Sequence, residues 1–239
     1  MKLTTKIIIA LAALSVAACF LLPIVLGALA KNRARNSEIQ VGPIKTIVIH
    51  GFYDSGRIGN LSCVIEPDEH PSANLLVKWP NTGDVDIRYS EADSTLTVNA
   101  TGEPTDALVH IKANNELQVI DINGAGTVGI LDMELPMLKI NATGCRAYID
   151  GGNYGALFTI LGKDARLKVE GFEEDNDNRI DTLFYRMDGK KLTLDSDVRI
   201  GVLAALPGSA AYVPDGDDDA ADISVMLMPD GEKVDMKQK

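Results

Sequence analysis

From Val41 onward the chain alternates apolar and polar positions in short runs: KTIVIH at 45–50, LLVKW at 75–79, DVDIRY at 84–89, STLTVNA at 94–100, LVHIKA at 108–113 and RLKVEG at 166–171. Alternation of period two sends successive side chains to opposite faces of an extended chain, so each run predicts a β-strand with one buried face. Clusters of Gly, Asn, Asp and Pro lie between them, as in PNTG at 80–83 and GEP at 102–104, and these residues tolerate or preset the dihedrals of tight turns. No stretch after Asn36 carries ten or more residues at helical period with caps. A doubly wound α/β fold therefore lacks its crossover helices.

One segment challenges that conclusion. LQVIDINGAGTVGIL, at 117–131, reads as a strand running into G-x-G-x-x-G, with Gly124, Gly126 and Gly129 in register with a dinucleotide fingerprint. The fingerprint needs its third glycine to open a helix whose N-terminal amides meet a pyrophosphate. The sequence that follows, VGILDMELPMLKI, carries Pro136 in its middle, which costs about 3 kcal/mol in a helix interior. Asp150, ending the run AYID, imitates the ribose-binding carboxylate but has no βαβ unit to belong to. Repetition explains the glycines better. VIDINGAG at 119–126 returns as MLKINATG at 137–144, placing Ile122 and Ile140 18 positions apart, and more loosely as LFTILGKD at 157–164, with Ile160 20 positions after Ile140. A period near twenty with glycine-bearing corners predicts an all-β solenoid, with Gly124, Gly126, Gly144, Gly151 and Gly152 at the corners and a β-sandwich as the other option.

The first forty residues carry a different message. Lys2 and Lys6 precede an uncharged run from Ile7 to Ala30, about 36 Å long as a helix against a bilayer core of about 30 Å. The segment predicts membrane targeting, with three fates. A cleaved signal peptide would break at Pro23 and be cut after Ala28 and Ala30, before Lys31; a lipoprotein would use Cys19 in Val16-Ala17-Ala18-Cys19, although the residues beyond Cys19 stay apolar. A retained anchor fits the length best. The expected division is a signal peptide or anchor at 1–35, an exported β domain at 36–212 and an acidic C-terminal tail at 213–239.

Charge and composition narrow the chemistry. A net charge of -11 argues against nucleic acid, whose binding depends on Lys and Arg neutralising phosphates. Cys63 and Cys145 form no C-x-x-C pair and read as small buried side chains rather than zinc ligands or a disulfide. Asp175, Asp177 and Asp181, and the run Asp215, Asp217, Asp218 and Asp219, lack the glycine and glutamate positions of a calcium loop and read as solvated loops. His50, His70 and His110 have no metal-ligand spacing, His50 and His110 are expected to face solvent from strands, and no G-x-S-x-G elbow is present. Paired carboxylates, Asp84 with Asp86 or Asp121 with Asp150, could act as acid and base on a glycan if held about 5 to 10 Å apart. Apart from that rival, no catalytic, cofactor-binding or metal-binding residue is predicted, and no cofactor.

The run LQVIDINGAGTVGILDMELPMLKINATGCRAYIDGGNYGALFTILGKDARLKVEG, and the entry strand and turn GPIKTIVIHGFYDSG, resemble the auto-transporter adhesin head-GIN domain family of bacterial envelope proteins, over roughly Val41 to Val202. The resemblance implies a single-stranded right-handed β-helix, exported and membrane-associated, with no established catalytic residues. The expectation is a non-catalytic envelope module for binding, adhesion or structure, with an envelope glycan or protein as ligand and the membrane reached through the N-terminal segment. A polysaccharide-cleaving enzyme and a membrane-anchored sensory or assembly accessory are the alternatives.

Overall fold

A computed structural model describes residues 36–51, 61–68, 75–80, 84–101, 107–170, 179–214 and 221–236. The strands are β1 (Asn36–Val41), β2 (Thr46–His50), β3 (Leu61–Pro67), β4 (Leu75–Pro80), β5 (Val85–Ser90) and β6 (Thr95–Ala100). They continue as β7 (Ala107–Ala113), β8 (Val119–Asn123), β9 (Thr127–Leu131), β10 (Glu134–Thr143), β11 (Arg146–Asp150) and β12 (Asn153–Leu161). The last are β13 (Arg166–Glu170), β14 (Arg179–Met187), β15 (Leu192–Leu194), β16 (Arg199–Ala205), β17 (Asp222–Leu227) and β18 (Lys233–Asp235). All six runs singled out by alternation lie on strands over their described residues, and the run holding Pro136 follows β9, turns at Asp132 and enters β10, with Pro136 itself in an extended strand.

These strands build two mixed sheets, one of eight in the order β1-β4-β7-β3-β9-β11-β13-β15 and one of ten in the order β18-β17-β16-β14-β12-β10-β8-β2-β6-β5. The expected single-stranded right-handed β-helix is corrected by this arrangement. From β8 to β16 the chain alternates between the sheets, and neighbours in each sheet pair in parallel. Elsewhere β1 pairs β4, β4 pairs β7, β5 pairs β6 and β17 pairs β18 antiparallel, and β3 inserts between β7 and β9. Connection length explains the mixture. Four residues, Glu91–Ser94, with Ser94 at φ 54°, fold β5 straight back onto β6, because a short link permits only antiparallel neighbours whereas a parallel pair needs a crossover. The residues read as an acidic tail include β17 and β18, which extend the ten-stranded sheet.

The inward faces form one apolar layer between the sheets. Ile47, Ile120 and Ile140 stand side by side in register in the ten-stranded sheet, and Ile65, Ile130, Ile149 and Val169 in the other, all essentially without exposure. Each such side chain contributes about 1.5–3 kcal/mol through burial. Register also revises the repeat. Ile140 lies beside Ile120, and Ala142 beside Ile122, so the hydrogen-bonded interval here is two residues longer than the sequence match. An even shift leaves every side chain on its own face, so alternation alone does not separate the two registers. Between β10 and β12 the offset is odd: Thr159 takes the inward place beside Ile140 and its hydroxyl bonds the Phe184 carbonyl at 3.3 Å, while Ile160 turns outward beside Asn141.

The fingerprint glycines have structural roles. Gly124 and Gly144 adopt φ of 72° and 59° at equivalent corners, the left-handed conformation that favours glycine. Gly126 is buried at the same corner between β8 and β9, with φ outside that region. Gly129 is a mid-strand residue over which Tyr148 lies, since a Cβ there would come within 2.3 Å of the tyrosine oxygen.

Candidate functional site

The long strands of the ten-stranded sheet share a bend. In β12 the residues Tyr154 and Leu157 point inward while Gly155 and Ala156 between them both point out; β14 repeats this at Asp181 and Thr182, and β16 at Gly201 and Val202. Two successive outward residues break strict alternation, so the sheet folds along a line through Pro136, Gly155, Asp181 and Gly201, positions that the regular pairing skips. A small residue is needed where strands crowd: a Cβ on Gly155 would lie 2.6 Å from the Pro136 carbonyl oxygen. Beside the bend an open cleft of about 420 Å³ is lined by Asn153, Tyr154, Gly155, Arg179 and Asp181, with Arg179 Nε 2.9 Å from Asp181 Oδ1.

Past the bend the outward face becomes apolar. Met137, Ala156, Thr182, Val202 and Val225 occupy one outward column, apolar except for the threonine, and Met137 is 45% exposed. In the next column Phe158 and Phe184 sit in register on adjacent strands, their rings stacked at 4.5 Å between centroids and 8° from parallel. Both are half-buried, between inward leucines and inward Thr159 or Tyr185. Lys139 flanks Phe158 in the same column, and Arg186 follows Ile160 in the next. The arrangement offers a flat aromatic and aliphatic platform with cationic side chains at its margin. It can hold an apolar or ring-bearing ligand by stacking and contact. Sequence reasoning passed over both phenylalanines, although a Leu-Phe pair occurs in each strand, at 157–158 and 183–184.

Of the two carboxylate pairs, Asp121 and Asp150 are not brought together. Asp121 points out of the ten-stranded sheet and accepts a hydrogen bond from Asn141 Nδ2, whereas Asp150 belongs to the eight-stranded sheet. Facing sheets thus place these two carboxylates on opposite outer surfaces. Asp86 is ion-paired with Arg88 at 2.8 Å on edge strand β5. Asp150 Oδ1 is buried without a hydrogen-bond partner among the described residues, and its carboxyl is pushed up from its ordinary value by burial, then by Glu170 and Asp132, against the pull of Lys168. The Tyr154 hydroxyl is likewise buried and unpartnered, and burial, with Asp132 adding to it, pushes its phenol up.

His50 and His110 are exposed on strands, as expected, while His70 lies outside the described residues. Among the described residues no group of three or more His, Cys, Asp or Glu is placed to hold a metal ion. Asp175, Asp177, Asp215, Asp217, Asp218 and Asp219 are outside them. Cys63 and Cys145 are free and buried, and burial pushes both thiols up to about 12. Among the described residues no helix is long and apolar enough to cross a membrane; the run from Ile7 to Ala30, with Cys19, lies outside them.

No known protein family matches the chain, and no curated protein does. Solved structures do. A protein from Bacteroides fragilis described as a "putative adhesin" aligns over 72% of this chain and 74% of its own at 14% identity and a TM-score of 0.51. A "putative adhesin" from Parabacteroides distasonis gives 12% identity, 72% and 78% coverage and a TM-score of 0.40, and a "putative lipid binding protein" from the same organism 12%, 72%, 77% and 0.42. At 14% identity, the first likeness establishes a similar fold.

Proposed function

We propose that this chain is a non-catalytic binding module of the bacterial cell envelope, of the adhesin or structural kind, and that it engages its ligand through the outward apolar face of the ten-stranded sheet. The observation that carries the reading is the stacked Phe158–Phe184 pair among aliphatic neighbours on an outward surface. Soluble domains expose contiguous apolar patches sparingly, and such a patch with polar margins marks an interaction site. Export is supported by the uncharged run from Ile7 to Ala30, and the description of the Bacteroides fragilis protein with the similar fold accords with adhesion. The head-GIN resemblance points the same way.

The test is a glycan array and an envelope-polysaccharide binding screen on the full-length protein in mild detergent, with release of reducing ends followed in parallel. Specific binding without product release is expected, and Phe158→Ser with Phe184→Ser should weaken it by about tenfold or more, the loss of one to two stacking contacts. Release of reducing ends, or binding untouched by both substitutions, would overturn the reading.

A further inference from the structure

The eight-stranded sheet has an outward face of its own, and its charges are sorted into rows. Strands β11 and β13 read RAYID and RLKVE, and the segment through β15 reads KLTLD at 191–195. Each begins with a cation, buries its second and fourth residues and ends with an acid. Because Arg146 pairs in register with Arg166 and Asp150 with Glu170, equal charges stack strand upon strand. Lys191 and Asp195 continue the two rows, fixed beside β13 by Leu167 N–H to Lys191 O at 2.8 Å and Asp195 N–H to Val169 O at 2.9 Å.

Strands lie about 4.8 Å apart, and like charges directly opposite destabilise a sheet. The acidic row is partly relieved from within, since Lys168 pairs with Glu170 and reaches Asp195 at 3.4 Å. Lys191 is held by Asp188 and by the Gly162 carbonyl at 2.6 Å. Arg146 and Arg166 are exposed, and neither forms an ion pair or a side-chain hydrogen bond among the described residues. Across the face, Asp150 keeps a buried, unpartnered Oδ1. One surface thus carries two guanidinium groups without an ion pair among the described residues and a carboxylate row in which Lys168 serves both Glu170 and Asp195 while Asp150 Oδ1 has no partner among those residues, the rows parallel to each other and four residues, about 13 Å, apart.

We infer that this face is an isologous docking surface for a second copy of the chain. A two-fold axis lying in the interface and running along the rows, midway between them, sets each basic row against the partner's acidic row, so that Arg146 and Arg166 meet the partner's Asp150 and Glu170. A two-fold in the interface at right angles to the rows would bring like rows together. Residues of the middle column, Tyr148, Lys168 and Thr193, then lie on the axis and face their own counterparts. The face spans five strands, β3 to β15, or about 20 by 13 Å, an area of the weak, transient class. Association is therefore salt-sensitive. The inference concerns the sheet opposite the Phe158–Phe184 platform and does not depend on the ligand proposed there.

Sedimentation of the full-length protein in density-matched mild detergent tests it. At about 50 mM salt the mass should rise from monomer to dimer with concentration and return to monomer near about 0.5 M, where screening is nearly complete. Arg146→Glu with Arg166→Glu, and separately Asp150→Arg with Glu170→Arg, should each remain monomeric with unchanged circular dichroism. An equimolar mixture of the two should recover the dimer, because one variant then carries two acidic rows and the other two basic ones. A second measurement needs no charge change: in a Cys19→Ser background, Thr193→Cys on the axis should cross-link under mild oxidation and Thr127→Cys, in register with Arg146 and so off the axis, should not. A wild-type protein that stays monomeric at about 0.1 mM and low salt, a dimer indifferent to both charge variants, a mixture that stays apart, or equal cross-linking at the two cysteines would each overturn it.

Discussion

Two tyrosines buried in neighbouring strands show how much one hydroxyl depends on its surroundings. Tyr185 Oη accepts the Tyr212 N–H at 2.9 Å and so pins the segment after β16 across the end of the core. The Tyr154 hydroxyl is equally buried and has no partner among the described residues. The same chemical change should therefore have opposite results. Tyr185→Phe strands a buried N–H and is expected to lower stability by about 1–3 kcal/mol, or about 2–4 °C in melting temperature per kcal/mol for a chain of this size. Tyr154→Phe removes an unsatisfied polar atom and should leave the melting temperature unchanged or raised. Thermal unfolding followed by circular dichroism compares them, and equal losses in both would show that the Tyr154 hydroxyl has a partner after all. The letters around them differ, Asn153 and Gly155 beside Tyr154 and Phe184 and Arg186 beside Tyr185, but none of them says which hydroxyl finds a partner.

At the level of the strand, alternation located the extended runs, and a break in alternation located the bend. The pairs Gly155-Ala156 and Gly201-Val202 are small or β-branched residues in successive outward places. Gly155→Ala would press a methyl group against the Pro136 carbonyl oxygen, a backbone atom that cannot swing aside. The expected penalty is about 1–3 kcal/mol, read as a lowered urea midpoint with an unchanged slope. An unshifted midpoint would mean that β10 and β12 separate freely at the bend. The repeat lettering misled for a related reason. Matching ING with INA aligns identities, whereas the sheet aligns hydrogen bonds, and Ile140 found Ile120 rather than Ile122. The charged pattern of RAYID, RLKVE and KLTLD was equally visible in the letters. Its meaning as rows appeared only when parallel pairing stacked those strands in register.

Across the whole molecule the two sheets share a continuous apolar core that includes both described cysteines. Their thiols, held near about 12 by burial, are both protonated and shielded. Alkylation at Cys63 and Cys145, followed site by site with mass spectrometry, should therefore be slow and proceed at one common rate set by global unfolding. Labelling of Cys145 well ahead of Cys63 would instead reveal that the corner between β10 and β11 opens on its own. Much of the pairing joins distant residues, as when β2 meets β8 with Ile47 beside Ile120, so loop closure must precede the contacts that reward it.

By itself the sequence determined that the alternating runs after Asn36 are strands, that Pro136 forbids a nucleotide-binding helix, and that His50 and His110 point to solvent. Those follow from short-range physics, namely side-chain alternation, proline's missing N–H and the conformational freedom of glycine. Tertiary structure alone decided that the strands form two mixed sheets, that Asp121 and Asp150 lie on opposite surfaces, and that Phe158 meets Phe184 while Arg146 meets Arg166. Those outcomes depend on hydrogen-bond register and on the path of the chain between strands, and alternation of period two is blind to both.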